Sequence, residues 1–224
     1  MRRLQGIVPG EYYHVFNRGA HKFWILKDQQ DLLRLLFLIL YSQSPLILKN
    51  VARIVRSASS AEGFPVTLEE QEKIVSSRFV DIVAFCLMPN HFHLLLKETE
   101  EGGIARYMQR LEIAYTMYFN SKYSSSGHVF QGPFKAVRME NDRQLMHVSA
   151  YIHRNPRELR QWKNKEEAYP YSSLQDYVDK NRWGNLLATD IVAGRFDATP
   201  HSNYRDFVRT SPAKLLEEEF GYSK

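Results

Sequence analysis

His91 and His93 stand two residues apart in the run Met88-Pro-Asn-His-Phe-His-Leu-Leu-Leu96. On a β-strand that spacing turns both imidazoles to one face. Phe92, Leu94 and Leu96 then share the opposite, apolar face. Paired imidazoles on a strand are candidate ligands for a divalent metal. His-x-His also arises by chance, so the reading depends on what else reaches the same face.

A partner set lies in Tyr151-Ile-His-Arg-Asn155. Residues i and i+4 are neighbours on a helix surface, so the Tyr151 phenol and the Asn155 amide address one small volume. A hard divalent cation accepts carbonyl oxygens beside imidazoles. Asn155 therefore completes a three-ligand set with His91 and His93, with positions left for a phosphate oxygen. Beside such a phosphate, a phenol oxygen can act as a nucleophile. Ordinary roles compete: there are 13 tyrosines, and Asn155 before Pro156 is also a natural helix terminator. Tyr115 and Tyr118, however, are followed one turn later by Phe119 and Lys122, neither a metal-binding oxygen.

The elements that must position these groups follow from periodicity and breakers. Glu11 to Gly19 reads as a first strand. Asp28 to Ser42 reads as a helix with Asp28 as N-cap and Pro45 beyond its end. Residues 46–77 read as an insertion in which Thr67 and Glu70 form a capping box for a short helix. Strands at 79–88 and 91–97 form a hairpin across Pro89-Asn90. Gly102 to Lys122 reads as a long helix, His128 to Arg138 as extended chain broken at Gly132-Pro133, and Asp142 to Arg154 as a third helix. A last helix is expected near 212–219. The order β-α-(insertion)-β-β-α-β-α predicts an α+β, ferredoxin-like split βαβ fold, with an antiparallel sheet and helices on one face. The expected division is a catalytic domain over 1–160 and a C-terminal extension over 161–224 packed on it.

Bulk properties narrow the setting. The chain of 224 residues has 44% hydrophobic and 25% charged residues, as a globular protein does. Its formal net charge of +5 permits a polyanionic partner without requiring one. Cys86, the only cysteine, sits in an apolar run and reads as a buried, inert thiol. No intrachain disulfide is possible, which favours a reducing compartment. The N-terminus lacks a signal-peptide core, and the apolar run 32–41 is too short to span a bilayer. A soluble, cytoplasmic protein with no membrane partner is expected.

Three segments in one order, MPNHFHLLL, SGHVFQGPFKAV and AYIHRNP, resemble the single-tyrosine HUH transposases of the IS200-like class, and within it the REP-associated tyrosine branch. The similarity runs from about residue 8 to 160, and Pro170-Tyr-Ser-Ser173 also looks like that branch. The resemblance implies that His91 and His93 bind metal, Mg²⁺ or Mn²⁺, and that Tyr151 is the nucleophile. Asn155 falls where IS200 proteins have a glutamine ligand, one methylene longer, and the insertion at 46–77 is a second departure. The implied reaction cuts single-stranded or hairpin DNA through a 5′-phosphotyrosine and rejoins it, without a nucleotide cofactor. The relatives are dimers or monomers, so either state fits.

For DNA contacts the candidates are Lys135, Arg138, Arg154, Arg157 and Arg110, with Arg2 and Arg3 on an N-terminal arm. Interleaved aromatics, among them Tyr118, Phe119, Tyr123, Phe130, Phe134 and Trp162, could stack unpaired bases. The base that takes the Tyr151 proton stays open between water, His147 and His153. Two rival readings remain: a structured nucleic-acid-binding protein that does not cut, and a phosphodiesterase using metal-bound water. The latter needs more carboxylates than strand and helix offer, since Glu140 and Asp142 sit about two and a half turns from Asn155.

Overall fold

The computed structural model describes residues 6–59, 63–196 and 200–212. Strand β1 (Tyr12–Arg18) leads through a tight turn into helix α1 (Gln29–Tyr41). The turn needs Gly19, because a β-carbon there would lie 2.3 Å from the Phe23 carbonyl oxygen. Asp28 caps α1 by accepting from the Asp31 amide. Helices α2 (Val51–Arg56) and α3 (Leu68–Ser76) occupy the insertion, and the Thr67–Glu70 capping box is formed. Phe64, between them, fixes the insertion by packing its ring on Phe37, Tyr41 and Trp183.

Strands β2 (Val80–Met88) and β3 (His91–Glu98) form the hairpin, followed by helix α4 (Gly103–Tyr123). The Glu98 carboxylate accepts from the Gly103 and Ile104 amides at 3.0 and 2.6 Å, a negative charge on the helix N-terminus. Strand β4 (Lys135–Arg138) is short. Of the extended run expected from His128, only an isolated bridge at Phe130 joins it. Helix α5 (Asp142–Arg154) carries Tyr151 and gives way to a 3₁₀ turn at Asn155–Glu158, where Pro156 cannot continue the helical hydrogen bonding.

The four strands lie in the order β2-β3-β1-β4, every pair antiparallel. This is the split βαβ arrangement: β3 inserts between β1 and β2. Opposed residues in such pairs share a face. One face carries Phe92, whose ring meets Phe130 and through it Tyr115 of α4; α1 packs against α4 in the same layer. The other face carries His14, Phe16 and His93, and α5 lies over it with Tyr151 against His93. The helices expected on one face are thus α1 and α4, and α5 covers the second.

The C-terminal segment includes the short helices α6 (Leu174–Val178) and α7 (Asp190–Ala193), then α8 (Pro200–Thr210). It closes the outer edge of β2, where unpaired backbone groups would otherwise invite aggregation. Ala188 N donates to Ile82 O, the Tyr177 hydroxyl to Val83 O, Ser173 N to Phe85 O, and Leu87 N to Tyr171 O. This explains why all nine residues of β2 are buried although the strand is at the sheet's edge. Pro170-Tyr-Ser-Ser173 is therefore part of that edge. Residues 213–224, with most of the helix expected at 212–219, lie outside the described residues, as do Arg2 and Arg3. Cys86 is fully buried, and burial pushes its thiol pKa up. Among the described residues no helix is long and apolar enough to cross a membrane.

Candidate active site

A cleft of about 280 Å³ opens on the α5 side of the sheet and brings His91, His93, Tyr151 and Asn155 together. β3 supplies the histidines. α5 supplies the tyrosine, its sheet-facing side held by buried Leu145, Val148 and Ile152 at helical spacing. The Tyr151 and His93 ring centroids are 5.5 Å apart at 79°, and those of His91 and His93 are 4.9 Å apart.

Each candidate ligand has one polar atom already engaged, which leaves another for the cleft. His93 Nδ1 is 2.9 Å from Nε2 of His14, a wholly buried histidine of β1. His91 Nδ1 is 2.7 Å from the Asn90 side-chain oxygen. The remaining nitrogen, Nε2, is the one available to a ligand in His93 and the one left to meet the Asn155 amide in His91. The Asn155 amide nitrogen donates to the Tyr151 and Ile152 carbonyls at 2.9 and 3.4 Å. Those two acceptors identify which end of the amide is nitrogen, so its oxygen is the end turned to His91, with which it hydrogen-bonds. The one-methylene-shorter side chain reaches His91 from the residue at which α5 gives way to the 3₁₀ turn.

Electrostatics keep the imidazoles neutral. Burial lowers the His91 pKa to about 4; the hydrogen bond with Asn155 opposes this and the Arg18 charge adds to it. His93 is held well below its usual value by burial, then by His91, His14 and Arg18. Burial alone takes His14 to about 3. Neutral imidazoles with a fixed second nitrogen are the form that ligates metal. The donor set, two imidazoles and an amide oxygen facing an open cleft, fits a divalent cation with vacant positions for substrate oxygens. Among the described residues no group of three or more His, Cys, Asp or Glu side chains is arranged to hold one, so the amide is needed to reach three.

Further residues line this cleft that sequence reasoning did not single out: Arg18, Lys22, Asn17 and Glu158. Arg18 lies opposite His91 in the β1–β3 register, and His14 is one pair from Phe16, which faces His93. The alternation Tyr12-Tyr-His-Val-Phe-Asn-Arg18 places His14, Phe16 and Arg18 on one face. Its register against β3 is what a single strand does not reveal.

The proposed DNA contacts separate. Lys135 stays beside the site: it faces Phe16 across the β1–β4 pair and lines an adjoining hollow with Asn17 and Arg18. Arg154 is partly buried just beyond Tyr151, with Nη1 lacking a hydrogen-bond partner among the described residues. The others are committed elsewhere. Arg138 lies on the opposite face of the sheet, opposed to Tyr13, and pairs with Glu11 at 2.8 Å. Arg157 pairs with Glu166. Arg110 donates to the Leu46 carbonyl on the outer side of the α1/α4 layer. Of the aromatics, Tyr118 and Tyr123 donate to the buried Asp31 carboxylate, and Lys122 bonds the same group.

Neither helix histidine reaches the cleft. His153 is buried between the Tyr204 hydroxyl and Ser173 Oγ, at 2.6 and 2.7 Å from its two nitrogens. His147 lies against Ser211 and Phe207. Asp142 pairs with Arg195 at 2.9 Å, away from Asn155.

Comparison with known proteins bears on this geometry. The solved structure of a REP-associated tyrosine transposase bound to a REP hairpin superposes with a TM-score of 0.52 at 14% identity, covering 85% of this chain and 93% of that one. A candidate transposase from Deinococcus radiodurans R1 gives 0.34 at 16% identity, covering 68% of this chain and 95% of that one. No curated protein matches the chain. The family model described as "Transposase IS200 like" matches residues 66–155, from the capping-box helix to the last candidate ligand. The segment bearing His91, His93, Tyr151 and Asn155 therefore lies within the stretch that is similar to IS200-like transposases.

Proposed function

We propose that the chain is a metal-dependent endonuclease and strand transferase for single-stranded DNA, with Tyr151 as nucleophile and hairpin-forming DNA as substrate. The observation that carries this reading is the Tyr151 ring set against His93, in one cleft with His91 and the Asn155 amide. The fold neighbour's REP hairpin supports DNA of that shape as the partner.

His91, His93 and Asn155 would hold Mg²⁺ or Mn²⁺, which supplies charge neutralisation at the scissile phosphate. The chain's own groups do the rest. Arg18 and Lys22 line the cleft with positive charge and draw a phosphate to it. Lys135 and Arg154, at its margins, hold the adjoining backbone. Tyr151 Oη attacks phosphorus, the bond from phosphorus to the 3′ oxygen of the upstream strand breaks, and the phosphate stays on Tyr151 as a phosphodiester to the 5′ oxygen of the downstream strand. The leaving 3′ oxygen takes up a proton. A 3′ hydroxyl reverses the sequence and rejoins DNA. His147 and His153 are committed elsewhere, so the phenol proton passes to water or to Glu158, which lines the cleft.

The test is a labelled hairpin oligonucleotide with unpaired flanks, mixed with protein and Mn²⁺ or Mg²⁺. A covalent protein–DNA adduct should form, disappear with chelator and be absent in Tyr151→Phe. An adduct that persists in Tyr151→Phe sinks the assignment. Equal hairpin binding with and without chelator and no adduct under any condition would establish the non-cleaving alternative.

A further inference from the structure

A second and larger cavity, of about 730 Å³, lies beside the cleft and has no part in the chemistry just described. Its walls are Trp24, Leu26, Pro89, Trp162, Tyr169 and Tyr171 with Arg160 at the rim. The volume is in the range of roughly 300–1,000 Å³ usual for small-molecule sites. Trp24 is 64% exposed, an unusual position for the largest apolar side chain unless something covers it. Trp162 is partly exposed, with its ring 5.3 Å from that of Tyr169.

Two pieces of chain run directly from the wall of the cavity into the wall of the cleft. Pro89, in its wall, precedes Asn90 and His91, which line the cleft; Leu159, also in its wall, follows Glu158, which lines the cleft. The walls are fixed to each other as well. Leu26 N donates to the Pro89 carbonyl at 2.9 Å, the Asn90 amide nitrogen reaches the Lys22 carbonyl, and the Tyr169 hydroxyl donates to Leu87 O. A strand whose phosphate sits at His91 and Tyr151 therefore passes this opening within its next nucleotides.

We infer that the Trp24–Trp162 cavity is a stacking subsite for an unpaired nucleobase of the strand that Tyr151 cuts. The inference rests on the proposed DNA reading of the cleft. The chemistry of the walls selects the occupant: exposed aromatic planes take the π-face of any base, and Arg160 with Lys22 supplies positive charge for the adjoining phosphates. Among the aromatics whose spacing suggested stacking, Trp162 is the one that lines this cavity.

Binding is measured with chelator present, so that cleavage plays no part. The probe is a fluorescent hairpin oligonucleotide with unpaired arms of randomised sequence, compared with the same hairpin lacking arms. Trp24→Ala and Trp162→Ala should each weaken binding of the armed hairpin by roughly 5- to 150-fold, the equivalent of about 1–3 kcal/mol per stacked base. Binding of the armless hairpin should stay unchanged, and Trp162→Phe should recover most of the loss. Circular dichroism of the variants guards against misfolding, and exposed Trp24 carries the test if Trp162→Ala does not fold. Wild-type affinity in a folded Trp24→Ala overturns the inference. So does equal loss for both hairpins, which marks a duplex contact. A wild-type dimer that Trp24→Ala converts to monomer overturns it in favour of self-association. If Tyr151 forms no adduct yet the tryptophan variants lose the armed hairpin selectively, the cleavage reading fails while the subsite stands.

Discussion

His93 and His153 are both buried histidines within reach of α5, and they have opposite relations to solvent chemistry. His153 has both ring nitrogens spent, one on Tyr204 and one on Ser173, both from the C-terminal segment. His93 has one nitrogen held by His14 and the other turned to a cleft it shares with Tyr151. Burial lowers the pKa of both, so a perturbed histidine by itself does not mark a site. What distinguishes them is an uncommitted lone pair facing an opening. The same helix therefore serves two purposes: Tyr151 and Asn155 at its end face the cleft, while Ser149 and His153 fasten α8.

The sharpest way to break this contrast is to exchange the two losses. His93→Ala should abolish adduct formation, an effect beyond the roughly 10–100-fold cost of losing an outer-shell partner, with the smaller drop in thermal midpoint of the two, because it orphans one buried group, His14 Nε2. His153→Ala should do the reverse. It orphans the buried Tyr204 and Ser173 hydroxyls at about 1–3 kcal/mol each, lowering the midpoint by several degrees while adduct yield per folded molecule holds. Adduct assays and calorimetry on both variants decide it; an inactive but stable His153→Ala would mean that the helix histidine belongs to the site after all.

His14 tests the middle ground, a residue outside the cleft that fixes one inside it. His14→Phe keeps the bulk and removes the bond to His93 Nδ1. Mn²⁺ affinity by titration calorimetry should fall by about 10–100-fold, with the Tyr151 adduct restored at high metal. Unchanged affinity would show that packing alone orients His93. A smaller effect is expected at Asn155. Asn155→Gln adds one methylene and displaces the amide from the Tyr151 and Ile152 carbonyls. Metal affinity should drop less than for His14→Phe, whereas Asn155→Ala removes the third donor of the set, its one oxygen, and should fall below both.

Much of this contrast was legible in the residues, and the rest depended on register. The His91–Phe92–His93 alternation and the i, i+4 pair on α5 are local, and local periodicity survives folding. The hairpin, the capping box at Thr67 and the helix boundaries were local for the same reason. The role of His14 and Arg18 was not, because it depends on β1 pairing with β3 so that Arg18 opposes His91. Sequence leaves His153 open as the base for Tyr151, and Tyr204, 51 residues away, takes it out of reach. The charged candidates depend on the fold in the same way: Arg138 and Arg157 pair with Glu11 and Glu166, which spacing along the chain does not foretell.

The smallest effect concerns acid. Burial lowers the His153 pKa from 6.5 to about 3 in the folded protein. Between those values the unfolded chain takes up a proton that the folded chain refuses, so stability falls as pH falls, and the contribution is intact above pH 6.5. The slope is about 1.4 kcal/mol per pH unit for one such histidine. Denaturant unfolding at a series of pH values should therefore show His153→Gln less acid-sensitive than wild type by about one proton, although weaker at neutral pH. Identical slopes would mean that the folded state admits the proton, with Tyr204 and Ser173 releasing His153.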